Sequence, residues 1–235
     1  MKKQVLTHYP GARSAKEITG DYLSQLEEVH GFDLENTLLA TSICVDDINV
    51  STEFRQIQDR PFIMGGLGGV PFVGRTGMAA YAHHIPEDGY AFIFYGPHIG
   101  INSEGELGAI RRKGQSGDST CCGALALALQ LLKDPPEESD ESEDEVLAAY
   151  DYQESRLLKV LQKNKAELQG SEHPIREATE LIYDHISTFL NQLIESGKKE
   201  FRCKKIALLG GIILNTDHGK EDYVDIRDFT IIDNT

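Results

Sequence analysis

Apolar runs and apolar residues at helical spacing alternate along the chain, which predicts strands interleaved with helices. Runs of strand length, the last of which alternates like an edge strand, lie at residues 37–44, 90–95, 205–214 and 223–233. Helical spacing or helix start signals predict helices over residues 15–29, 50–59, 78–84, 120–133, 146–168 and 175–195. Strands that alternate with helices favour an α/β fold, with a mostly parallel central sheet flanked by helices.

Local signals predict where some of these elements begin or turn. Ser14 and Glu17 form a capping box ahead of the first predicted helix. Ser119 is expected to cap the helix over 120–133. Loose alternation of apolar and polar residues over 99–112 predicts a hairpin.

The whole chain, residues 1–235, is expected to form a single α/β domain. With 40% hydrophobic residues, a chain of this length can bury one large core. In chain order, its expected parts are a core that carries the candidate site, an acidic linker or insertion, a helical hairpin and the C-terminal strands, over residues 14–133, 134–145, 146–196 and 204–235.

Charge is distributed unevenly along the chain and argues against some partners. The net charge is −15, but residues 134–145 hold eight acids and no base, which leaves −7 for the rest. Such acidity argues against nucleic acid and anionic membranes as partners. No apolar run approaches the roughly 20 residues that span a bilayer, so no membrane helix is expected.

The N-terminal residues and the cysteines indicate a compartment. Residues 1–10 lack the apolar core of a secretory signal and are too poor in Arg and Ser for a transit peptide. We therefore expect a cytoplasmic protein, or a protein of the plastid stroma if a transit peptide has been removed. Four cysteines, two of them adjacent, are too few and too badly spaced for a disulfide framework, so a reducing compartment is expected.

Two cysteines and a histidine lie where α/β sheets bind ligands. Cys44 ends one predicted strand, His98 follows the Gly-Pro break after the next, and Cys122 lies in the first turn of a predicted helix. Zinc prefers thiolate and imidazole ligands and uses three of them in a catalytic site, so one zinc ion bound by this set is our hypothesis. Simpler interpretations stay open: a buried cysteine is usually an apolar filler, a single histidine after a strand is usually a loop residue, and Cys121 competes with Cys122.

A pair of carboxylates follows the first of these candidate ligands. Asp46 could bind the metal itself or orient a metal-bound water, and an arginine partner would be needed to hold it off the metal. Arg55 is the nearest candidate along the chain, followed by Arg60 and Arg75. Alternatively, Asp46 and Asp47 are simply the acids of a turn that precedes a helix.

Six glycines lie within residues 65–77, which indicates backbone at positive φ or backbone that another group approaches closely. The segment has the spacing of a phosphate-binding loop, but Arg75 stands where the lysine that reaches the phosphates belongs. Glycines that let the chain pass close to a metal pocket or to a dimer partner are the better interpretation.

Four blocks, taken together and in this order, resemble the limiting-CO2-inducible protein B (LCIB)-like family, whose members are similar to β-type carbonic anhydrases. The blocks are CVDDIN at 44–49, MGGLGGVPFVG at 64–74, GPHIGI at 96–101 and STCCGA at 119–124. The resemblance implies a β-carbonic-anhydrase-like α/β sheet, a Cys/His/Cys zinc site, an Asp–Arg dyad and a homodimer. The acidic stretch 134–145 has no counterpart in these blocks.

Carried onto this chain, the resemblance implies the zinc ligands Cys44, His98 and Cys122, the last because it directly precedes the Gly-Ala pair. It also implies that Asp46 is the carboxylate of the dyad and that Arg55 is its arginine. The implied reaction is the reversible hydration of CO2 to bicarbonate, with Asp46 orienting the attacking water.

Two competing functions use the same residues. The first is a catalytically silent zinc-binding protein that acts in inorganic-carbon sensing or as a binding partner. The second is a hydrolase with Cys44 as nucleophile and His98 as base, which predicts alkylation of Cys44 in the protein as purified. A zinc-bound thiolate would instead be protected from alkylation until a chelator is added.

Overall fold

A sheet of seven strands lies at the centre of the part of the chain that the computed structural model describes, residues 1–47, 54, 60–134 and 151–234. In chain order, the strands are β1 Arg13–Ser14, β2 Thr37–Ile43, β3 Phe62–Ile63, β4 Tyr90–Gly96, β5 His98–Ile101, β6 Ala109–Ile110, β7 Ser119–Thr120, β8 Lys205–Thr216 and β9 Tyr223–Asp233. Strands β6 and β7 form a separate pair, and the other seven make the central sheet.

Pairing in the central sheet is mostly parallel. The strand order is β1-β9-β8-β4-β2-β3, and β5 also pairs with β8. The pairs among β3, β2, β4, β8 and β5 are parallel, whereas β8 with β9 and β9 with β1 are antiparallel. The predicted fold class, α/β with a mostly parallel sheet, is confirmed. Strand β9, predicted as an edge strand, is covered on its outer side by the two residues of β1.

Helices separate most of the long strands along the chain and flank the sheet. In chain order, they are α1 Lys2–His8, α2 Ala15–Glu28, α3 Gly74–His84, α4 Gly123–Lys133, α5 Tyr152–Gln162, α6 Lys165–Gly170 and α7 Pro174–Gly197. Ser14 caps α2 as predicted, because its hydroxyl accepts the Glu17 N–H. Of the helix predicted over 50–59 only Phe54 is described, and nearly all of the acidic stretch lies outside the described residues. Within the described ranges, every helix is too short or too polar to cross a bilayer.

Several predicted elements differ from the observed ones. The predicted helix over 146–168 is interrupted between α5 and α6. The hairpin predicted over 99–112 is reduced to one antiparallel bridge between Ile101 and Leu107, because β5 pairs along its length with β8 and β6 pairs with β7. Ser119 lies in β7 and does not cap α4, whose N-cap residue is Cys122. The Ser119 hydroxyl instead accepts a hydrogen bond from Arg112 and donates to a carbonyl of β6.

Each face of the sheet packs against helices through its own apolar cluster. On β4, the side chains of Ala91, Ile93 and Tyr95 belong to one cluster, and those of Phe92 and Phe94 belong to the other. Successive strand residues point to opposite faces, so helices α3, α4, α5 and α7 cover one face and α2 covers the other. Burial on both faces explains why these parallel strands read as continuous apolar runs.

The step from β4 to β5 positions the candidate histidine. Gly96 ends β4 with φ of 154°, and Pro97 separates it from His98, the first residue of β5. A side chain at Gly96 would overlap the carbonyl oxygen of Gly211 on β8. The Pro97 carbonyl accepts the Ile213 N–H at 3.0 Å, so hydrogen bonding to β8 continues through the step.

Gly96 and Gly20 form a matched pair that tests this close contact. Gly20 lies inside α2 with no atom within 4 Å of the place that its Cβ would take. Gly20→Ala is expected to raise the free energy of unfolding by about 0.5–1 kcal/mol, because alanine favours a helix interior. Gly96→Ala is expected to lower it by about 2–3 kcal/mol through overlap with Gly211. Urea unfolding measures both values, and a Gly96→Ala protein as stable as wild type would contradict the contact.

Candidate metal centre

Three chain segments bring Cys44, His98 and Cys122 together at the carboxyl ends of the parallel strands. Cys44 directly follows β2, His98 begins β5 just past the end of β4, and Cys122 is the N-cap residue of α4. All three side chains are buried, and one ligand atom from each lies within 4.8 Å of the others. The structure therefore brings together the three residues that the sequence singled out, and their role as metal ligands stays a prediction.

The geometry of this cluster fits a metal ion. The sulfurs of Cys44 and Cys122 are 3.8 Å apart. Two sulfurs bound about 2.3 Å from one tetrahedral metal ion have about this separation. The Nε2 atom of His98 is buried and has no hydrogen-bond partner among the described residues. An unpaired buried nitrogen is costly, and a metal ion bound together with the two sulfurs would give it a partner.

The glycine-rich loop supplies a backbone N–H group to the sulfur of Cys44. The Gly68 N–H donates to this sulfur at 3.2 Å, and the backbone of Asp46 also hydrogen-bonds to it. Gly68 has φ of 65°, and a Cβ there would lie only 2.8 Å from the side chain of Leu157 on α5. Glycine is therefore needed for the loop to approach the cluster this closely, as the sequence predicts.

The neighbours of Cys44 favour the thiolate form of its side chain. A hydrogen bond with Cys122, followed by the adjacent His98, lowers the pKa of Cys44 to about 4. The hydrogen bond with Cys44 raises the pKa of Cys122, and burial adds to this effect. Burial alone lowers the pKa of His98, but the influence of the neighbouring Cys121, Cys122 and Cys44 side chains outweighs it and raises the pKa well above its ordinary value. A metal cation that binds here would displace the protons of this cluster.

Cys121 lies against a different part of the histidine ring from its neighbour Cys122. Its sulfur is 3.4 Å from Nδ1 of His98 and 3.5 Å from Oδ1 of Asn215. Cys122, in contrast, has its sulfur next to that of Cys44. The geometry therefore favours Cys122 over Cys121 as a metal ligand, a choice that the residues alone left open.

Asn215 and Asp47 extend the site behind the histidine, and the sequence assigned neither of them a role there. Oδ1 of Asn215 lies 2.7 Å from Nδ1 of His98, and its amide nitrogen donates to Oδ1 of Asp47 at 2.9 Å. Strand β8 runs past its predicted end at Leu214 to Thr216, and Asn215 lies in this extension. A polar residue at the carboxyl end of an apolar strand is the signal that could have located it.

Asp46 pairs with an arginine that the sequence did not single out. The Arg112 guanidinium donates to the Asp46 carboxylate at 3.3 Å. The two side chains are 42% (Asp46) and 31% (Arg112) exposed, so the pair adds at most about 1 kcal/mol to stability and mainly fixes geometry. Arg55 lies outside the described residues, and its pairing with Asp46 stays a prediction. Arg60 and Arg75 are described, and neither of them forms an ion pair with Asp46 within the described part of the chain.

A cavity of about 400 Å³ opens beside the Asp46–Arg112 pair. Its lining also includes Cys121 and Asn215, which contact His98. The cavity thus connects the ion pair with the groups behind the histidine and is large enough to admit small molecules.

The two adjacent cysteines give a matched test of the metal centre. Cys122→Ser is expected to abolish stoichiometric zinc, because it removes one of the two sulfurs at the cluster. Cys121→Ser is expected to retain zinc, because its hydroxyl can still donate to Asn215. Metal analysis of both proteins after dialysis against zinc measures the difference. The assignment of Cys122 would be wrong if Cys121→Ser lost the metal and Cys122→Ser kept it.

Comparisons with known proteins agree with the architecture. The profile of the family described as limiting CO2-inducible proteins B/C beta carbonic anhydrases matches residues 17–233. The crystal structure of PtLCIB4, a homolog of the limiting CO2-inducible protein LCIB, is similar with a TM-score of 0.88 and 28% identity, over 100% of this chain and 96% of that chain. The crystal structure of LCIB has a TM-score of 0.67 and 23% identity over 98% of each chain, which shows the shared fold.

A search of curated proteins finds no significant match to the chain. The family profile nevertheless spans nearly all of the sequence, and it includes every block on which the resemblance rests. The chain therefore belongs to the family of limiting CO2-inducible proteins B and C, the LCIB-like β-carbonic anhydrases.

Proposed function

We propose that this protein is a zinc-dependent carbonic anhydrase that catalyses the reversible hydration of CO2 to bicarbonate. Cys44, His98 and Cys122 would hold the zinc ion. The observation that carries the proposal is the buried cluster of two sulfurs 3.8 Å apart beside an unpaired imidazole nitrogen. Membership of a family described as β-carbonic anhydrases supports the reaction.

The chemistry of the ligand atoms supports zinc over other common cations. Two thiolate sulfurs and an imidazole nitrogen suit zinc, whereas magnesium and calcium prefer oxygen ligands. With three protein ligands, a zinc ion held by Cys44, His98 and Cys122 would still be able to bind water, as a catalytic site requires. When bound, zinc would act as a Lewis acid that lowers the pKa of water and so provides a nucleophile near neutral pH.

Asp46 is the proposed group that orients the attacking water. Its carboxylate is an acceptor and therefore fixes the direction of a water O–H bond. The ion pair with Arg112 holds this carboxylate in place and would keep it from binding the metal ion itself. The adjoining cavity of about 400 Å³, which Asp46 helps to line, would let CO2 and bicarbonate reach the Asp46 carboxylate.

The proposed assembly is a homodimer, as the family resemblance implies. Val45 and Ile63 are 59% and 58% exposed. Val45 follows β2, and Ile63 lies on the neighbouring β3, at the edge of the sheet. Apolar side chains at this edge support a contact with a second copy. The four free, buried cysteines support a reducing compartment such as the cytoplasm.

Metal content and stopped-flow CO2 hydration, measured on the same sample, test the proposed function. We expect about one zinc ion per chain and hydration that disappears when a chelator removes the zinc. Zinc without hydration would indicate the catalytically silent alternative. A chain that binds no zinc would contradict the proposal altogether.

Asp46→Asn tests the role of the carboxylate. It is expected to lower kcat by about 100-fold or more, because an amide orients water poorly and cannot take up a proton, while zinc content stays unchanged. Asp21→Asn is a matched control, since Asp21 is also an exposed carboxylate paired with an arginine, Arg13, but on the distant helix α2. Loss of zinc from the Asp46→Asn protein would indicate a structural role instead.

The arginine partner of Asp46 can be identified by comparing three alanine variants. Arg112→Ala is expected to lower kcat about 10- to 100-fold through the freed Asp46 carboxylate. Arg13→Ala is the control, because Arg13 pairs with Asp21 and does not line the cavity beside Asp46. A larger loss of kcat in Arg55→Ala than in Arg112→Ala would identify Arg55, the arginine implied by the family resemblance, as the partner of Asp46.

A further inference from the structure

Three buried polar side chains, His98, Asn215 and Asp47, form a hydrogen-bonded row that runs outward from the candidate metal centre. Nδ1 of His98 lies 2.7 Å from Oδ1 of Asn215. The amide nitrogen of Asn215 donates to Oδ1 of Asp47 at 2.9 Å. Asn215 is only 3% exposed, so water competes little for these hydrogen bonds.

The direction of both hydrogen bonds in this row follows from the outer one, between Asn215 and Asp47. The NH₂ group of the Asn215 amide is directed to Oδ1 of Asp47, which accepts the hydrogen bond. The amide oxygen then faces the histidine and can only accept as well. His98 must therefore carry a proton on Nδ1, where it donates to Asn215. In the neutral ring, this leaves the lone pair on Nε2.

The free nitrogen defined in this way is the one at the cluster. Nε2 of His98 is buried and has no hydrogen-bond partner in the described residues. The sulfurs of Cys44 and Cys122 and one ring nitrogen of His98 all lie within 4.8 Å of one another. The hydrogen bonds from Asp47 through Asn215 thus select the His98 tautomer with its proton on Nδ1, which a metal ion at the cluster needs.

The backbone around Asn215 holds its side chain in a fixed place. Asn215 lies on β8 and is paired with Gly100 of β5, two residues after His98. The sulfur of Cys121 also lies 3.5 Å from Oδ1 of Asn215, so the thiol can donate to the same oxygen. Because the acceptor is fixed by the strand ladder, it restricts rotation of the imidazole ring.

We propose that Asn215 is a positioning residue of the metal centre. It orients His98 with Nδ1–H toward β8 and Nε2 toward the sulfurs of Cys44 and Cys122, and Asp47 fixes the orientation of the Asn215 amide. Asn215 acts through the histidine and does not itself bind the metal. This inference rests on the proposed zinc site.

Zinc affinity of the full chain, measured by competition with a chromogenic chelator, tests the inference. Asn215→Leu removes the acceptor at nearly constant size and is expected to weaken zinc binding about 10- to 100-fold. The exchanged pair Asn215→Asp with Asp47→Asn puts the carboxylate next to the histidine and the amide behind it. This double variant is expected to bind zinc nearly as tightly as wild type, which a merely structural role of Asn215 would not predict.

Asn234→Leu is the matched control for the loss of a partly buried asparagine. The Asn234 amide donates to the carbonyls of Phe201 and Cys203, which lie near the start of β8 and far from its carboxyl end. This variant is expected to keep wild-type zinc affinity. A comparable loss of affinity in Asn234→Leu would overturn the inference, because the effect would then follow from general destabilisation.

Nitrogen-15 NMR of zinc-loaded protein labelled at histidine gives a second readout. The expected spectrum has a proton on Nδ1 of His98, with slow exchange, and zinc on Nε2. Zinc on Nδ1, or Asn215→Leu affinity equal to wild type, would overturn the inference and leave the proposed function intact. If the wild-type chain itself bound no zinc, both the inference and the proposed function would be overturned.

Discussion

Burial of a negatively charged sulfur is the constraint on which the rest of the site depends. A thiolate inside an apolar core is costly unless donors or a cation surround it. Cys44 meets this need through the N–H groups of Gly68 and Asp46 and through Cys122. Each of these groups comes from a different segment. The glycine loop, the turn after β2 and the start of α4 are therefore all arranged around one atom.

Parallel pairing brings these segments to the same edge of the sheet. Strand β2 pairs with β4 along its full length, and Ile43 lies opposite Gly96 at the carboxyl ends of the two strands. Cys44 and His98, which follow those ends, are neighbours for this reason. An antiparallel pair would place the same two residues at opposite ends of the ladder. The similarity to PtLCIB4 covers the whole chain, so the two proteins share this arrangement of elements.

Local signals in the sequence located the parts of the site that stand at strand ends. An apolar run followed by a cysteine or a histidine is readable over a few residues, as for Cys44 and His98. Arg112 was missed because it is 66 residues from Asp46, and no spacing rule connects them. Asn215 was missed because the predicted strand ended two residues too early. The hairpin expected over 99–112 is reduced to a single bridge for a related reason, since the main partner of β5 is the distant strand β8.

The groups around the imidazole come from sequence positions as far apart as Asp47 and Asn215, at the ends of β2 and β8. Closing so long a loop costs chain entropy, which the packing of the sheet must repay before the site exists. An ion with affinity only for the completed site therefore stabilises the native state by mass action. Thermodynamic linkage then makes occupancy of the centre a reporter of global folding. A fragment that ends before β8 would contain every proposed ligand and still lack the group that orients the ring.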